Sequence, residues 1–480
     1  MDVTYILIIL LLGALATFAS GDKLASKVAL LSSLAALAAS LLLLGDYNAG
    51  QDIGYMGVWA QHPKLFLALS GDGLSLSMVL LTTALLPFII YSSFGNDIFR
   101  SRNFYTLILL MAFAMCGTFL AVDGFLYYIF WEIALIPIYF IALVWGNDDP
   151  ESRKKAVTKF FIYTFAGSLF MLVAFIYLYQ KAGTFLIKDL LAVVLTEREQ
   201  FWIFLAFFLA YAIKIPIIPF HTWQATVYEK APTVGTMLLS GIMLKMGLYS
   251  IIRWQLPLAP LPAKEFMNVL IGLSVAGVIY GSILALRQKD LKRLLAYSSL
   301  AHVGLIAAGC YTLTADGLQG AVMQMMAHGV VIVGLFFAAE IIARRYQTRA
   351  ISDMGGIRTQ TPKFSSMLMI LVLASVALPT TFNFVGEFMV LFSLSQVNVA
   401  WAVAGGLTII LGAFYMLRMY QQVMLGDTNA RPFADVNGHE TIVMIGLIAI
   451  LLFFGLYPKP LTDLIGPSIN EIIVSINRYN

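Results

Sequence analysis

The sequence predicts an all-α polytopic membrane protein with about fourteen transmembrane helices. Two observations lead to this fold class. Of the 480 residues, 60% are hydrophobic and only 12% are charged, whereas soluble domains carry about 25% charged residues. The apolar residues also occur in long runs, and about 20 such residues let a helix cross a hydrocarbon core of about 30 Å. A water-soluble protein is therefore excluded. The near balance of 30 Lys+Arg against 26 Asp+Glu, with no basic tail, also excludes a nucleic-acid-binding protein.

Two of the predicted spans should be broken helices. Span 7 contains Pro216 and Pro219, and span 12 contains Pro379. Proline donates no backbone hydrogen bond and clashes with the preceding turn, so each helix should be interrupted near its middle. The predicted spans are residues 3–19, 28–44, 74–94, 104–122, 124–145, 156–180, 201–229, 232–252, 266–286, 294–313, 319–343, 364–394, 399–417 and 441–457.

The loop charges predict an orientation. The first apolar run follows Met1-Asp2-Val3-Thr4, which lacks the basic residues of a cleaved signal peptide, so we expect a retained helix. Most of the 30 lysines and arginines lie in loops that follow odd-numbered spans. The positive-inside rule then places both termini outside the cytoplasm.

Four charged residues interrupt apolar runs: Glu132, Lys214, Lys245 and Glu387. A charge at the bilayer centre costs roughly 2.5–3.5 kcal/mol on insertion scales, so such residues should face one another or a wet interior. A single buried ion pair would explain two of them and leave the other two unexplained. The set therefore predicts a proton path.

Lysine suits this role because burial disfavours its charged form, whereas a nearby carboxylate favours it. A movement of Glu132 toward or away from Lys214 would therefore change the affinity of Lys214 for a proton. Two histidines in apolar runs, His302 and His328, extend the set, since imidazole accepts one proton while donating another near neutral pH. His221 is equally well explained as a core donor. No two histidines share ligand spacing with carboxylates on one helix face, so no metal site is predicted.

Asp123 stands at the short turn between spans 4 and 5. It is either a helix cap or an entrance to the proton path, and the sequence favours neither.

The positions of the breaks predict an internal repeat. Five helices make an odd number of crossings, so a second copy of a five-helix unit is inverted in the membrane. Spans 4–8 and 9–13 would form such a pair within one transmembrane domain. The predicted parts are 1–102 (helices 1–3), 103–254 (first repeat), 265–424 (second repeat) and 440–480 (helix 14 and a C-terminal tail).

Several strings carry a resemblance to a known family. They are FWEIALIPIYF (130–140), AYAIKIPIIPFHTWQATVYEKAPTVGTMLLSGIMLKMGLY (210–249), RQKDLKRLLAYSSLAHVG (287–304), MQMMAHG (323–329) and LPTTFNFVGEF (378–388). With them the chain resembles, over nearly its whole length, the antiporter-like membrane subunits of respiratory complex I, the NADH–quinone oxidoreductase.

The resemblance implies a function and partners. It implies a proton-translocating subunit without flavin, iron–sulfur cluster, quinone or other cofactor of its own, beside antiporter-like subunits L and N, with electron transfer in partner subunits. It also implies that Glu132 pairs with Lys214, that Lys245, His302 and His328 continue a central hydrophilic axis, and that Glu387 is the terminal proton site toward the outside.

Two other interpretations stay open. The same superfamily contains subunits of multi-subunit cation/proton antiporters and membrane-bound hydrogenases. Most of those relatives have a lysine after the break in helix 12, so Glu387 favours the complex I branch. A purely structural membrane spacer is disfavoured because leucine at the charged positions would be more stable.

Overall fold

The computed structural model describes residues 1–61, 63–147, 149–426 and 432–478. The chain divides into two compact units, and we describe each by itself. Unit 1 comprises Met1–Ile215, Ile242–Met267 and Leu464–Asn480, and unit 2 comprises Pro216–Gly241 and Asn268–Asp463. The inverted five-helix repeat stays a prediction.

Helices dominate the part of the chain up to the first predicted break. The elements in order are α1 (Thr4–Ala19), α2 (Ala25–Asn48), β1 (Tyr55–Ala60), β2 (Leu65–Leu69), α3 (Gly73–Ser92), α4 (Ser101–Leu120), α5 (Gly124–Ile133), α6 (Leu135–Trp145), α7 (Pro150–Ala182), α8 (Ile187–Ala192) and α9 (Glu197–Lys214).

The rest of the chain is also helical, with two π-helical turns and one 3-10 turn. The elements are α10 (Gln224–Lys230), α11 (Thr233–Leu238), a π turn (Leu239–Met243), α12 (Leu244–Ser250), a π turn (Ile251–Gln255), α13 (Leu256–Leu258), α14 (Pro260–Glu265), α15 (Met267–Leu286), α16 (Leu291–Cys310), α17 (Ala315–Tyr346), a 3-10 turn (Ile351–Asp353), α18 (Ile357–Gln360), α19 (Pro362–Ser375), α20 (Phe382–Val397), α21 (Val399–Met424), α22 (Gly438–Leu456) and α23 (Lys459–Asn477).

In unit 1, α1 packs against α2 and α4, α7 packs against α9, and α12 packs against both α4 and α9. The antiparallel hairpin of β1 and β2 departs from the all-helical prediction, with Tyr55 opposite Leu69. Both strands consist largely of aromatic, branched and other apolar residues, which favour a pleated, half-buried surface.

In unit 2, the long helix α17 is enclosed by its neighbours over most of its length. It packs against α16, α19, α20 and α22. Nearly every residue from Gly317 to Ile342 is buried. A helix that is apolar all round must be covered on every side, and α17 therefore forms the centre of this unit.

Eleven helical segments of the described chain are long and apolar enough to cross a membrane. Three further apolar helices, α1, α19 and α20, are shorter. These findings confirm a mostly helical, multi-pass membrane protein, and the count of about fourteen spans stays a prediction.

Both predicted helix breaks are confirmed. Helix α9 ends at Lys214 and α10 begins at Gln224, so the interruption contains both prolines of span 7. Helix α19 ends at Ser375 and α20 begins at Phe382, on either side of Pro379. The missing backbone donors of the prolines account for the position of these breaks.

Two irregularities were not predicted. Span 5 is divided at Ala134 into α5 and α6, because Pro137 has no N–H to donate to the carbonyl one turn earlier. Span 8 contains π turns on both sides of α12, the segment that carries Lys245. Single π turns inside α-helices are frequent at functional sites.

Candidate functional site

The buried charges of unit 1 lie where helices are interrupted. Lys214 is the last residue of α9 and is only 2% exposed. The final carbonyl groups of a helix lack intrahelical donors, and the helix dipole favours a cation there. The break therefore supplies the partial negative charge that a buried lysine needs.

Two side chains from span 5 reach Lys214. Its Nζ lies 4.9 Å from the centroid of the Trp131 ring, in a cation–π contact. The half-buried carboxylate of Glu132, next in the chain, interacts with Lys214 electrostatically. Neither Lys214 Nζ nor Glu132 Oε1 has a hydrogen-bond partner among the described residues. The pair is thus close enough to interact, but it is not locked in a hydrogen-bonded ion pair.

Lys245 belongs to the same unit and is fully buried on α12. Helix α12 approaches the end of α9 closely at Gly247. A Cβ at this position would lie 2.6 Å from Cγ1 of Ile215 and 3.4 Å from Cβ of Lys214. Glycine is therefore required for this packing, which brings the segment carrying Lys245 against the residue that ends α9.

In unit 2, three helices contribute to a cluster around Glu387, which is 1% exposed on α20. Its Oε1 lies 2.9 Å from Nδ1 of His302 on α16. The same oxygen accepts a hydrogen bond of 3.0 Å from Nε2 of Gln324 on α17. The ring of His328, also on α17, lies with its centroid 5.9 Å from that of His302. The structure therefore brings the three predicted residues of unit 2 together.

The close approach of α20 to α17 depends on a glycine. A Cβ at Gly386 would lie 2.6 Å from the backbone nitrogen of Gln324. Backbone atoms cannot move aside as a side chain can, so a larger residue would separate the two helices. Gly386 thus allows the amide of Gln324 to reach the carboxylate of the next residue, Glu387.

Several buried polar atoms of this cluster have no hydrogen-bond partner in the described chain. They are Oε2 of Glu387, Nε2 of His302, Oε1 of Gln324 and both side-chain amide atoms of Asn383. Buried polar groups are normally hydrogen-bonded to protein or water, because leaving one unsatisfied costs roughly 1–3 kcal/mol. The cluster is consequently suited to exchange protons with water or with neighbouring groups.

Sequence reasoning missed Gln324 and Asn383. Each is uncharged and stands in an apolar run, but each precedes a selected residue by four positions, His328 and Glu387 respectively. Residues four apart share a helix face. A search for polar residues at that spacing would have found both.

The structure also decides one open alternative. The Asp123 carboxylate accepts hydrogen bonds of 3.0 Å from the backbone N–H groups of Phe125 and Leu126, so it caps α5. Burial raises the pKa of this carboxyl group above its usual value. His221, the other open case, lies in the break after α9 with its ring 5.1 Å from that of Tyr280.

Metal binding finds no support within the described residues, where no group of three or more histidine, cysteine, aspartate or glutamate side chains could hold an ion.

Comparison with known proteins identifies the family. Residues 121–412 match the family described as NADH:quinone oxidoreductase/Mrp antiporter, TM. The chain is 36% identical to NADH-quinone oxidoreductase subunit M of Rickettsia prowazekii over 465 residues, which cover 94% of this chain and 93% of that protein. It is 35% identical to NADH-ubiquinone oxidoreductase chain 4 of Arabidopsis thaliana, covering 86% of this chain and 84% of that protein.

Solved structures agree with the sequence relatives. A chain of respiratory complex I from Thermus thermophilus with bound NADH superposes with a TM-score of 0.91 at 27% identity, covering 99% of this chain and 100% of that one. A chain of the Mrp complex from Dietzia has the same fold, with a TM-score of 0.88 at 20% identity and coverage of 99% and 98%. The chain belongs to the NADH:quinone oxidoreductase/Mrp antiporter family of transmembrane proteins, in the branch of the complex I subunits M and chain 4.

Proposed function

We propose that this chain, a proton-translocating membrane subunit of NADH–quinone oxidoreductase, moves protons with six side chains: Glu132, Lys214, Lys245, His302, His328 and Glu387. The observation that carries the proposal is the environment of Lys214. Lys214 is 2% exposed, lies at the end of an interrupted helix and has no hydrogen-bond partner for its Nζ among the described residues. Burying a charged amine in this way costs free energy. Such a cost is understandable if the amine must gain and lose a proton.

In unit 1, Glu132 acts as the switch for Lys214. The charged amine is stabilised when the carboxylate is near and destabilised when it withdraws, because the low dielectric of the surroundings strengthens the interaction. Ala134 and Pro137, at the kink after Glu132, interrupt the regular helix and so give the carboxylate a place to move. Lys245, on the helix packed against the end of α9, accepts the proton next.

In unit 2, Glu387 is the terminal acid. Its Oε1 is held by His302 and Gln324, which leaves Oε2 as the oxygen that gains and loses the proton. His302 can donate through Nδ1 while Nε2 exchanges a proton on the other side of the ring. Gln324 cannot titrate and keeps the carboxylate in place.

The remaining parts of the proposal concern the assembled complex. Electron transfer from NADH to quinone takes place in partner subunits, and this chain holds no redox cofactor. Other membrane subunits are its partners, and we propose that antiporter-like subunits L and N are the neighbours. We further propose a bacterial inner membrane with both termini on the periplasmic side, from the excess of basic residues in loops after odd-numbered spans.

Substitution of Lys214 tests the proposal. Lys214→Ala should lower NADH-driven proton pumping by at least about tenfold, since a positioned proton-transfer group typically contributes 10²–10⁴-fold. The assay is the pH gradient formed by the assembled complex in membrane vesicles. Lys188→Ala, which removes an exposed lysine on α8 of the same unit, is the matched control and should pump as the wild type does.

Two results would contradict the proposal. One is wild-type proton pumping by an assembled Lys214→Ala complex. The other is a pH gradient that forms only when sodium is present, because the transported ion would then be coupled to sodium as in an antiporter.

A further inference from the structure

We propose that the groove between α7 and α9 binds one phospholipid of the bilayer, with the phosphate at Arg198 and an acyl chain along the groove. The argument uses residues of unit 1 that take no part in the proton path. It therefore stands independently of the proposed function.

The groove has the size and lining of a lipid site. Its volume is about 470 Å³, within the range of about 300–1,000 Å³ typical of small-molecule sites. The apolar part is lined by Val173 and Ala174 of α7 and by Trp202, Ile203 and Ala206 of α9. Val173 is 65% exposed and Trp202 is 58% exposed on the outside of unit 1. The unit therefore presents a concave apolar surface with large side chains on its rim.

The mouth of the groove contains a carboxylate whose charge is already compensated. Glu199 accepts a hydrogen bond of 2.5 Å from the Tyr177 hydroxyl and forms an ion pair of 2.7 Å with Lys181. It also accepts a hydrogen bond of 2.8 Å from the backbone nitrogen of Thr196. With the Thr196 hydroxyl, which donates a further hydrogen bond of 2.9 Å, three residues occupy Glu199, and it offers little attraction to a cationic ligand.

Arg198, by contrast, is an exposed cation that lines the groove, and it has neither hydrogen bond nor ion pair among the described residues. A guanidinium group presents donors in a fork that matches two oxygens of a phosphate. The lining residues therefore leave one positive charge for an anionic group at the mouth.

The order of groups along the groove matches the order of groups in a phospholipid. Arg198 stands in the first turn of α9, and the apolar lining residues Trp202, Ile203 and Ala206 follow one to two turns further along the helix. Tryptophan and tyrosine are enriched at the membrane–water boundary, where Trp202 and Tyr177 would flank the headgroup. A cation at the boundary above a hydrocarbon-lined groove matches the anionic headgroup and the acyl chain of one phospholipid, whereas a purely apolar transmembrane helix offers Arg198 no anion.

The test is electron cryomicroscopy of the complete complex in nanodiscs made of phosphatidylethanolamine and phosphatidylglycerol. In the wild type we expect a headgroup density beside Arg198 that continues as an acyl chain between Val173 and Trp202. Arg198→Ala should lose the headgroup density, and Ala206→Phe, which fills the groove, should lose the whole lipid. Native mass spectrometry should show one bound phospholipid fewer per complex in both variants.

The control is Val269→Phe, which adds the same side chain at an exposed apolar position on α15 of unit 2 and should leave the lipid in place. The proposal is overturned if a helix of another subunit fills the groove. It is also overturned if the headgroup density and the lipid count stay unchanged in the Arg198→Ala complex, whose exposed substitution does not disturb the fold.

Discussion

Replacement of Gln324 by leucine removes one of the two groups that hold Oε1 of Glu387. The bond measures 3.0 Å and both residues are almost completely buried. A hydrogen bond to a charged group contributes about 1.5–3 kcal/mol, and each 1.36 kcal/mol changes a rate or an equilibrium constant about tenfold. Gln324→Leu removes this contribution to holding the carboxylate in place, so it should slow NADH-driven proton pumping by about one to two orders of magnitude.

The assay is NADH-driven acidification of membrane vesicles, measured with NADH–quinone reductase activity and with the amount of assembled complex. Gln319→Leu is the matched control, because Gln319 lies on the same helix and donates its amide hydrogen bond, 2.9 Å, to the carbonyl of Thr462 instead of to Glu387. The infrared carboxyl band assigned to Glu387 should shift in Gln324→Leu and stay in Gln319→Leu. An assembled Gln324→Leu complex with normal pumping and an unshifted band would refute the assignment.

Two further predictions concern stability. Burial disfavours the ionised form of Asp72, but the Arg253 guanidinium, 2.5 Å away, outweighs this effect and lowers the pKa of the carboxyl group. The ion pair therefore stabilises the fold above the ordinary pKa of about 4. This stabilisation disappears as the pH falls through the lowered pKa. Asp72→Asn keeps the helix cap, so it should lower the melting temperature at neutral pH and show little difference in strong acid; an equal deficit at every pH would contradict this. Gly386→Ala should reduce the yield of assembled complex, since its Cβ would meet the backbone of Gln324, whereas Gly406→Ala, with nothing within 4 Å, should assemble normally; equal yields would disprove the packing argument.

The features that the sequence predicted well are those with a high energetic cost in a membrane. A charge such as Lys214 or Glu387 within an apolar run has few explanations, because lipid cannot solvate it. A proline within a helix is equally informative, since its missing donor acts locally and does not depend on the tertiary structure. The buried charges and both helix breaks were therefore predictable from single residues.

The features that the sequence did not reveal depend on contacts between helices. The spacing of Gln324 to His328 places both on one helix face, but the hydrogen bond from Gln324 to Glu387 depends on Gly386, which lets α20 approach α17. The π turns on either side of Lys245 span residues 239–255 together with α12, and this stretch contains no proline that would mark them in the sequence. The pairing of His302 with Glu387 joins residues 85 positions apart, which no local pattern encodes.

One carboxylate oxygen in unit 2 is shared by side chains from two other helices, so the position of three backbones determines its surroundings. Hydrogen bonds between nitrogen and oxygen keep their strength only from about 2.7 to 3.2 Å. A displacement of α20 by about 1 Å along its axis would thus break the contact with α16 or α17 and leave the acid with a different set of donors. A movement of this helix would therefore change the donors around the buried carboxylate without any change in sequence or ligand.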